Sequence, residues 1–100
     1  MILYNITVNI SRMAEQEWMQ WMKDVHIPAI MATGLPVAHK MLRLLTEVEN
    51  EGTTYSIQFS FKTLDDYYTY ESKHQVELQH EHHARYKDRY VTFRTLLEEV

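Results

Sequence analysis

A chain of 100 residues with 10 Lys and Arg against 14 Asp and Glu, six histidines and no cysteine is one mildly acidic domain of formal charge −4. At this length roughly 60 to 68% of the unfolded surface is buried to offset on the order of 100 kcal/mol of conformational entropy, which allows one core and leaves surface for a partner to complete. The lack of cysteine excludes disulfides and thiolate zinc sites, the acidic balance argues against nucleic acid, and no apolar run approaches the roughly 18 residues of a membrane span, so a cytoplasmic protein is expected.

From Ile2 to Ile10 the residues alternate strictly, with Ile2, Tyr4, Ile6, Val8 and Ile10 opposing Leu3, Asn5, Thr7 and Asn9. This predicts a strand with one apolar face. Ser11 is placed to cap a following helix, and the apolar positions switch to Trp18, Trp21, Met22 and Val25, a helical period. Pro28 lacks an amide hydrogen and restricts Ile27, so a break near His26 is expected, with Gly34 and Pro36 ending the segment. Residues 37–46 read as a second strand with charge on both faces, suited to a sheet edge. The polar stretch Glu47 to Gly52 predicts a hairpin loop, and Tyr55, Ile57, Phe59 and Phe61 then alternate with Thr54, Ser56, Gln58 and Ser60 in the clearest strand of the chain. Thr63 followed by Asp66 resembles a capping box that opens a helix bearing Leu64, Tyr67, Tyr68 and Tyr70. The pattern stays helical but polar from Ser72 to Asp88, anchored by Val76, Leu78, Ala84 and Tyr86, with a break expected near Ser72. Val91, Phe93, Thr95 and Leu97 close the chain as a fourth strand.

The order β-α-β-β-α-β predicts an α+β, ferredoxin-like domain over residues 1–100, with a four-stranded antiparallel sheet and helices on one face only. Trp18, Trp21, Met22, Tyr67 and Tyr68 are expected to meet the apolar sheet face. The bare face then carries Leu3, Asn5, Thr7, Asn9, Thr54, Ser56, Gln58, Ser60, Thr92, Arg94 and Leu96. Solvent accounts for such a face; so does a homodimer that brings two such faces together as a dimeric α/β barrel with a polar lumen. Asn5, Thr7, Asn9, Ser56, Gln58 and Arg94 are the candidate lining of that cavity, and Arg94 and Gln58 suit a carboxylate or carbonyl of a small-molecule ligand, or an ion pair between subunits.

The segments MILYNITVNI, EWMQWMKDVHIPAIMATG, KMLRLLTE, TTYSIQFSF and ARYKDRYVTFRTLLEEV resemble, nearly end to end, an uncharacterised bacterial family, a domain of unknown function of this length. The resemblance implies a ferredoxin-like fold of the dimeric α/β barrel type and carries over no activity. At the level of fold alone the chain is similar to antibiotic-biosynthesis-type monooxygenases and haem-degrading enzymes. The haem-degrading pattern implies an Asn on strand one, met by Asn5 or Asn9, and a His on the second helix, met by one of His74, His80, His82 and His83. It also implies a barrel Trp, which Trp18 and Trp21, on the first helix, do not match.

His80 and His83, three residues apart, share a helix face with Glu77, a donor set suited to a divalent metal. The spacing departs from the zincin motif, and a solvated polar face is the plainer account. His26 stands where a helix is expected to end, as a cap or as a group guarding the barrel mouth. The tryptophans and methionines of the first helix have the spacing of a core stripe. With Gly34 and Gly52 as its only glycines the chain has no phosphate-cradling loop. The expectation is a small-molecule binding or accessory module. No cofactor is expected for it. The alternative is a cofactor-less or haem-dependent monooxygenase acting inside the barrel, and haem or a divalent metal is then the candidate cofactor.

Overall fold

A computed structural model describes residues 1–46 and 52–100. Four strands, β1 (Ile2–Ser11), β2 (Pro36–Arg43), β3 (Gly52–Phe61) and β4 (Tyr90–Glu98), form one sheet in the order β2-β3-β1-β4, every pair antiparallel. This is the ferredoxin-like α+β arrangement expected from the alternation of periods. The expected loop over residues 47–52 lies, but for Gly52, outside the described residues.

Two helical arms cover one face. The first runs through α1 (Arg12–Trp21), a π-helical turn (Met22–His26) and α2 (Ile27–Met31); the second through α3 (Leu64–Tyr70), a second π turn (Glu71–Gln75) and α4 (Val76–Tyr86). Both expected helix breaks are π turns instead. Pro28 sits in the first turn of α2, where its missing amide hydrogen is tolerated. Gly34 then ends the arm at φ +78°, a left-handed conformation that costs glycine little.

A π turn takes one residue more than an α turn, and so rotates the buried stripe. On the first arm the inward residues are Ala14, Trp18, Met22, His26, Ile27 and Ile30, while Val25 is 49% exposed. On the second arm Tyr67, Tyr70, His82 and Tyr86 are buried, and Tyr68 and Val76 face out. The expected core positions Val25, Tyr68, Val76 and Ala84, all exposed, are thus corrected. Thr63 accepts the Asp66 amide at 3.1 Å, the cap that its spacing predicts. Ser11, by contrast, makes no side-chain cap; its amide instead donates to the Arg89 carbonyl.

The sheet gives Ile2, Tyr4, Val8 and Ile10 of β1 and Tyr55, Ile57, Phe59 and Phe61 of β3 to the core, each no more than 6% exposed. Aromatic pairs lock the second arm down: Tyr67 lies 5.2 Å from Tyr4 and edge-on to Phe61 at 5.4 Å.

The faces of β4 are the reverse of those expected. Arg94 pairs with Ile6, Thr92 with Val8 and Leu96 with Tyr4, so these three lie on the helix side. Val91, Phe93, Thr95 and Leu97 pair with Asn9, Thr7, Asn5 and Leu3 and lie on the open face. Alternation alone sends the apolar set toward the helices. The register holds Tyr90 there instead, its ring 4.6 Å from His82, and leaves Val91, Phe93 and Leu97 71, 62 and 46% exposed.

Candidate functional site

Where the π turn of the first arm and α4 approach β1 and β4, the two layers leave a cleft of about 40 Å³, room for about three water molecules. Its apolar wall is Ile6, Val8, Met22 and Ile57; its polar wall is His26, Gln79, His82, Tyr90, Thr92 and Arg94. The two π turns account for this wall. The first ends on His26 and turns it inward, and the second resets the phase of α4 so that Gln79 and His82 point at the sheet. π turns recur at functional sites for this reason.

The histidines form an aromatic group with the first arm. His26 stacks on Trp21 at 4.8 Å with 21° between the planes, and lies 5.6 Å from His82. Trp18 donates its indole N–H to Nε2 of His82 at 2.9 Å. A nitrogen that accepts carries no proton, so neutral His82 holds its hydrogen on Nδ1. Burial pushes both imidazoles down to about 4, and for His82 the neighbouring His26, Arg94 and His83 act in the same direction. Near neutral pH the cleft therefore presents two uncharged rings.

Among the described residues, His26 Nδ1 is a buried polar atom without a hydrogen-bond partner. Burial holds the Tyr4 phenol above its usual range, against Arg94 and a side-chain hydrogen bond from Gln79, which both favour the phenolate. Outside the cleft, the Arg85 guanidinium joins Glu17 at 2.7 Å, tying α4 to α1, and lies 5.4 Å from the Trp21 ring.

The candidate residues expected from the sequence fall into three groups. Asn5, Thr7, Ser56 and Gln58 do share the open face, where Asn5 donates to Thr7 at 3.2 Å and Gln58 to Ser56 at 3.2 Å; Asn9 donates to Thr54 at 3.0 Å. Gln58 lines a shallow groove of about 280 Å³ there with Leu3, Ala38 and Ser60. Arg94 is on the other side of the sheet, in the cleft. Glu77, His80 and His83 are exposed on α4, and His83 Nδ1 lies 2.8 Å from the Tyr90 hydroxyl. Among the described residues no three imidazole or carboxylate groups come together to hold a metal.

His26 neither ends a helix nor stands exposed at one, and His82, grouped by sequence with its polar neighbours, is the buried member of that cluster. Gln79 carried no signal at all. A spacing of four from Trp18 through Met22 to His26 is the one trace of the site in the sequence.

Comparison with solved structures places the chain among ferredoxin-like proteins. HapK from Hahella chejuensis superposes with a TM-score of 0.71 at 8% identity, over 100% of this chain and 93% of that one. A variant of MhuD with two manganese protoporphyrin IX molecules bound per active site gives 0.70 at 11% identity, over 100% and 95%. A dimeric ferredoxin-like protein from an uncultured marine organism gives 0.60 at 10% identity, over 99% and 97%. A comparison with curated proteins finds no match. No helix among the described residues is long and apolar enough to cross a membrane. The family model described as Domain of unknown function (DUF4286) matches residues 1–100, and the chain belongs to that family.

Proposed function

We propose that the protein is a cytoplasmic homodimer that binds a small molecule in the cleft between each protomer's helices and sheet. The observation that carries this reading is the cleft itself, apolar on the side of Ile6, Val8, Met22 and Ile57 and polar on the side of His26, Gln79, His82, Tyr90, Thr92 and Arg94. Ligand sites are concavities of this kind, with a few convergent polar groups on an apolar lining. The dimer is supported by the apolar residues of the open face, by the dimeric neighbour of the same fold and by the prevalence of two-fold pairing. The hydrogen-bonded strip of Asn5, Thr7, Ser56 and Gln58 would then face its copy across the interface, a second and wetter cavity.

If the cleft is a ligand's place, the purified protein is expected to carry a small molecule that native mass spectrometry detects and that denaturation releases. A chain that carries nothing, and whose urea midpoint no member of a small-molecule library raises, would remove the main support for the cleft.

Haem, which the fold suggests, does not fit the residues present. The cleft is far smaller than a porphyrin, and Nε2 of His82, the natural axial donor, is occupied by Trp18. A haem titration of the wild type is expected to give no Soret band that His82→Ala or His26→Ala removes.

A further inference from the structure

The sheet ends at β2, where six of the eight residues are exposed and β3 is the one neighbouring strand. The phase of its hydrogen bonds follows from a single contact, the Leu44 amide donating to the Thr54 carbonyl at 2.9 Å. Bonded pairs alternate along an antiparallel ladder, so Leu42, Lys40 and Ala38, opposite Ser56, Gln58 and Ser60, also bond to β3. His39, Met41 and Arg43 then turn their N–H and C=O groups outward, where among the described residues no strand pairs with them.

Beside this edge, on the helix side, runs a groove of about 580 Å³ with Ile27, Pro28, Met31 and Met41 as its apolar lining. Lys23 joins it to a second groove of about 390 Å³ that carries Arg12, Glu15 and Tyr55. The Glu15 carboxylate is already taken by the Tyr55 hydroxyl at 2.6 Å and the Thr53 hydroxyl at 2.9 Å. Arg12, Lys23 and Lys40 have no carboxylate partner among the described residues. In a chain of charge −4 this strip is locally basic, with an apolar hollow alongside.

A row of outward main-chain groups binds an extended segment as an added strand, and a hollow beside them selects its alternate side chains. Lys40 and Arg43 repel the β2 of a second copy, which carries the same charges, and attract a segment of opposite sign. We propose that β2 takes an extended acidic segment of a partner protein as a fifth strand. An apolar side chain of that segment fills the hollow of Ile27, Pro28 and Met31, and carboxylates two positions away meet Lys23 and Arg12. The cleft and the open sheet face play no part in this contact.

The probe is a capped, fluorescein-labelled heptapeptide in which threonine alternates with aspartate, leucine and aspartate; a companion carries lysine for each aspartate. Titrated with the full chain at low ionic strength, the acidic probe is expected to show saturable anisotropy, and the companion to bind at least about tenfold more weakly. Lys23→Glu, a change at an exposed side chain, should weaken the acidic probe about fivefold. His39→Pro removes an outward N–H that β3 does not use, at an edge where proline is tolerated. It is expected to bind about fivefold more weakly than His39→Ala, which loses the same side chain and keeps the N–H. In ¹⁵N spectra the acidic probe should move the amides of His39, Met41 and Arg43 more than those of Ala38, Lys40 and Leu42. Equal binding of the two peptides, equal binding by the two His39 variants, or no binding of the acidic probe at millimolar concentration would overturn the proposal. So would a His39→Pro chain that sediments at a lower mass than His39→Ala, because a second copy then holds the edge.

Discussion

Trp18 and His82, separated by 64 positions in the chain, are joined by a buried hydrogen bond of 2.9 Å from indole N–H to imidazole Nε2. The bond ties α1 to α4 and decides which nitrogen of His82 bears the proton. Trp18→Phe keeps much of the ring but leaves Nε2 without a donor and opens a small cavity. A loss of about 2 to 4 kcal/mol in urea unfolding is expected. The ¹⁵N shifts of the His82 ring should also change from those of a fixed tautomer to those of a mixture.

Acid should destabilise the protein through its two buried imidazoles. Both ordinarily titrate at 6.5 and are pushed down to about 4 in the fold. Above 6.5 the folded and unfolded chains bind equal numbers of these protons, and stability is flat. Between 6.5 and 4 the unfolded chain takes up protons that the folded one refuses, so stability falls as pH falls, by on the order of 3 kcal/mol for each ring. Below 4 the folded state protonates too and this slope disappears. On His82 burial is joined by His26, Arg94 and His83, all cationic when charged, and on His26 burial acts alone, so nothing opposes the trend. His82→Gln retains an acceptor for Trp18. Urea midpoints measured between pH 7 and pH 4.5 should show about half the wild-type slope for this variant; an unchanged slope would refute the account.

The open sheet face is expected to separate when charge is placed on it. Phe93 is 62% exposed and sits opposite Thr7 on β1. In a dimer joined through this face, Phe93→Lys would bury a charge with no partner. Sedimentation at micromolar concentration should show a monomer for the variant and a dimer for the wild type. The variant monomer should keep its far-ultraviolet circular dichroism, because Phe93 does not contact the helices' side of the sheet.

The two helix starts should respond differently to the same change. Thr63→Ala removes an acceptor that receives the Asp66 amide at 3.1 Å and should cost about 1 kcal/mol. Ser11→Ala removes no side-chain cap and should leave the thermal midpoint within error of the wild type.

The order of elements was legible because the apolar period changes from two to 3.6 and back at each boundary, and because Thr63 and Gly34 mark ends by their own chemistry. The faces of β4 were not. Val91, Phe93 and Leu97 are apolar yet lie away from the core, because the alternation within β4 does not say which of its faces the pairing with β1 turns toward the helices. The cleft was hidden for a different reason. His26 and His82 are brought together by π turns, which no residue type announces, and His82 is distinguished from His80 and His83 only by the phase of α4.

Each π turn is one residue longer than a regular helix requires. Winding residues 22–26 into a regular α-helix at the same length would improve the hydrogen-bond geometry but turn His26 by roughly 80° from Trp18, eight residues before it. Trp18 and His26 could then no longer both face inward. The first arm is therefore held in a winding that local helix energetics disfavours, and it is the wider turn that lets an eight-residue spacing put both rings on one face.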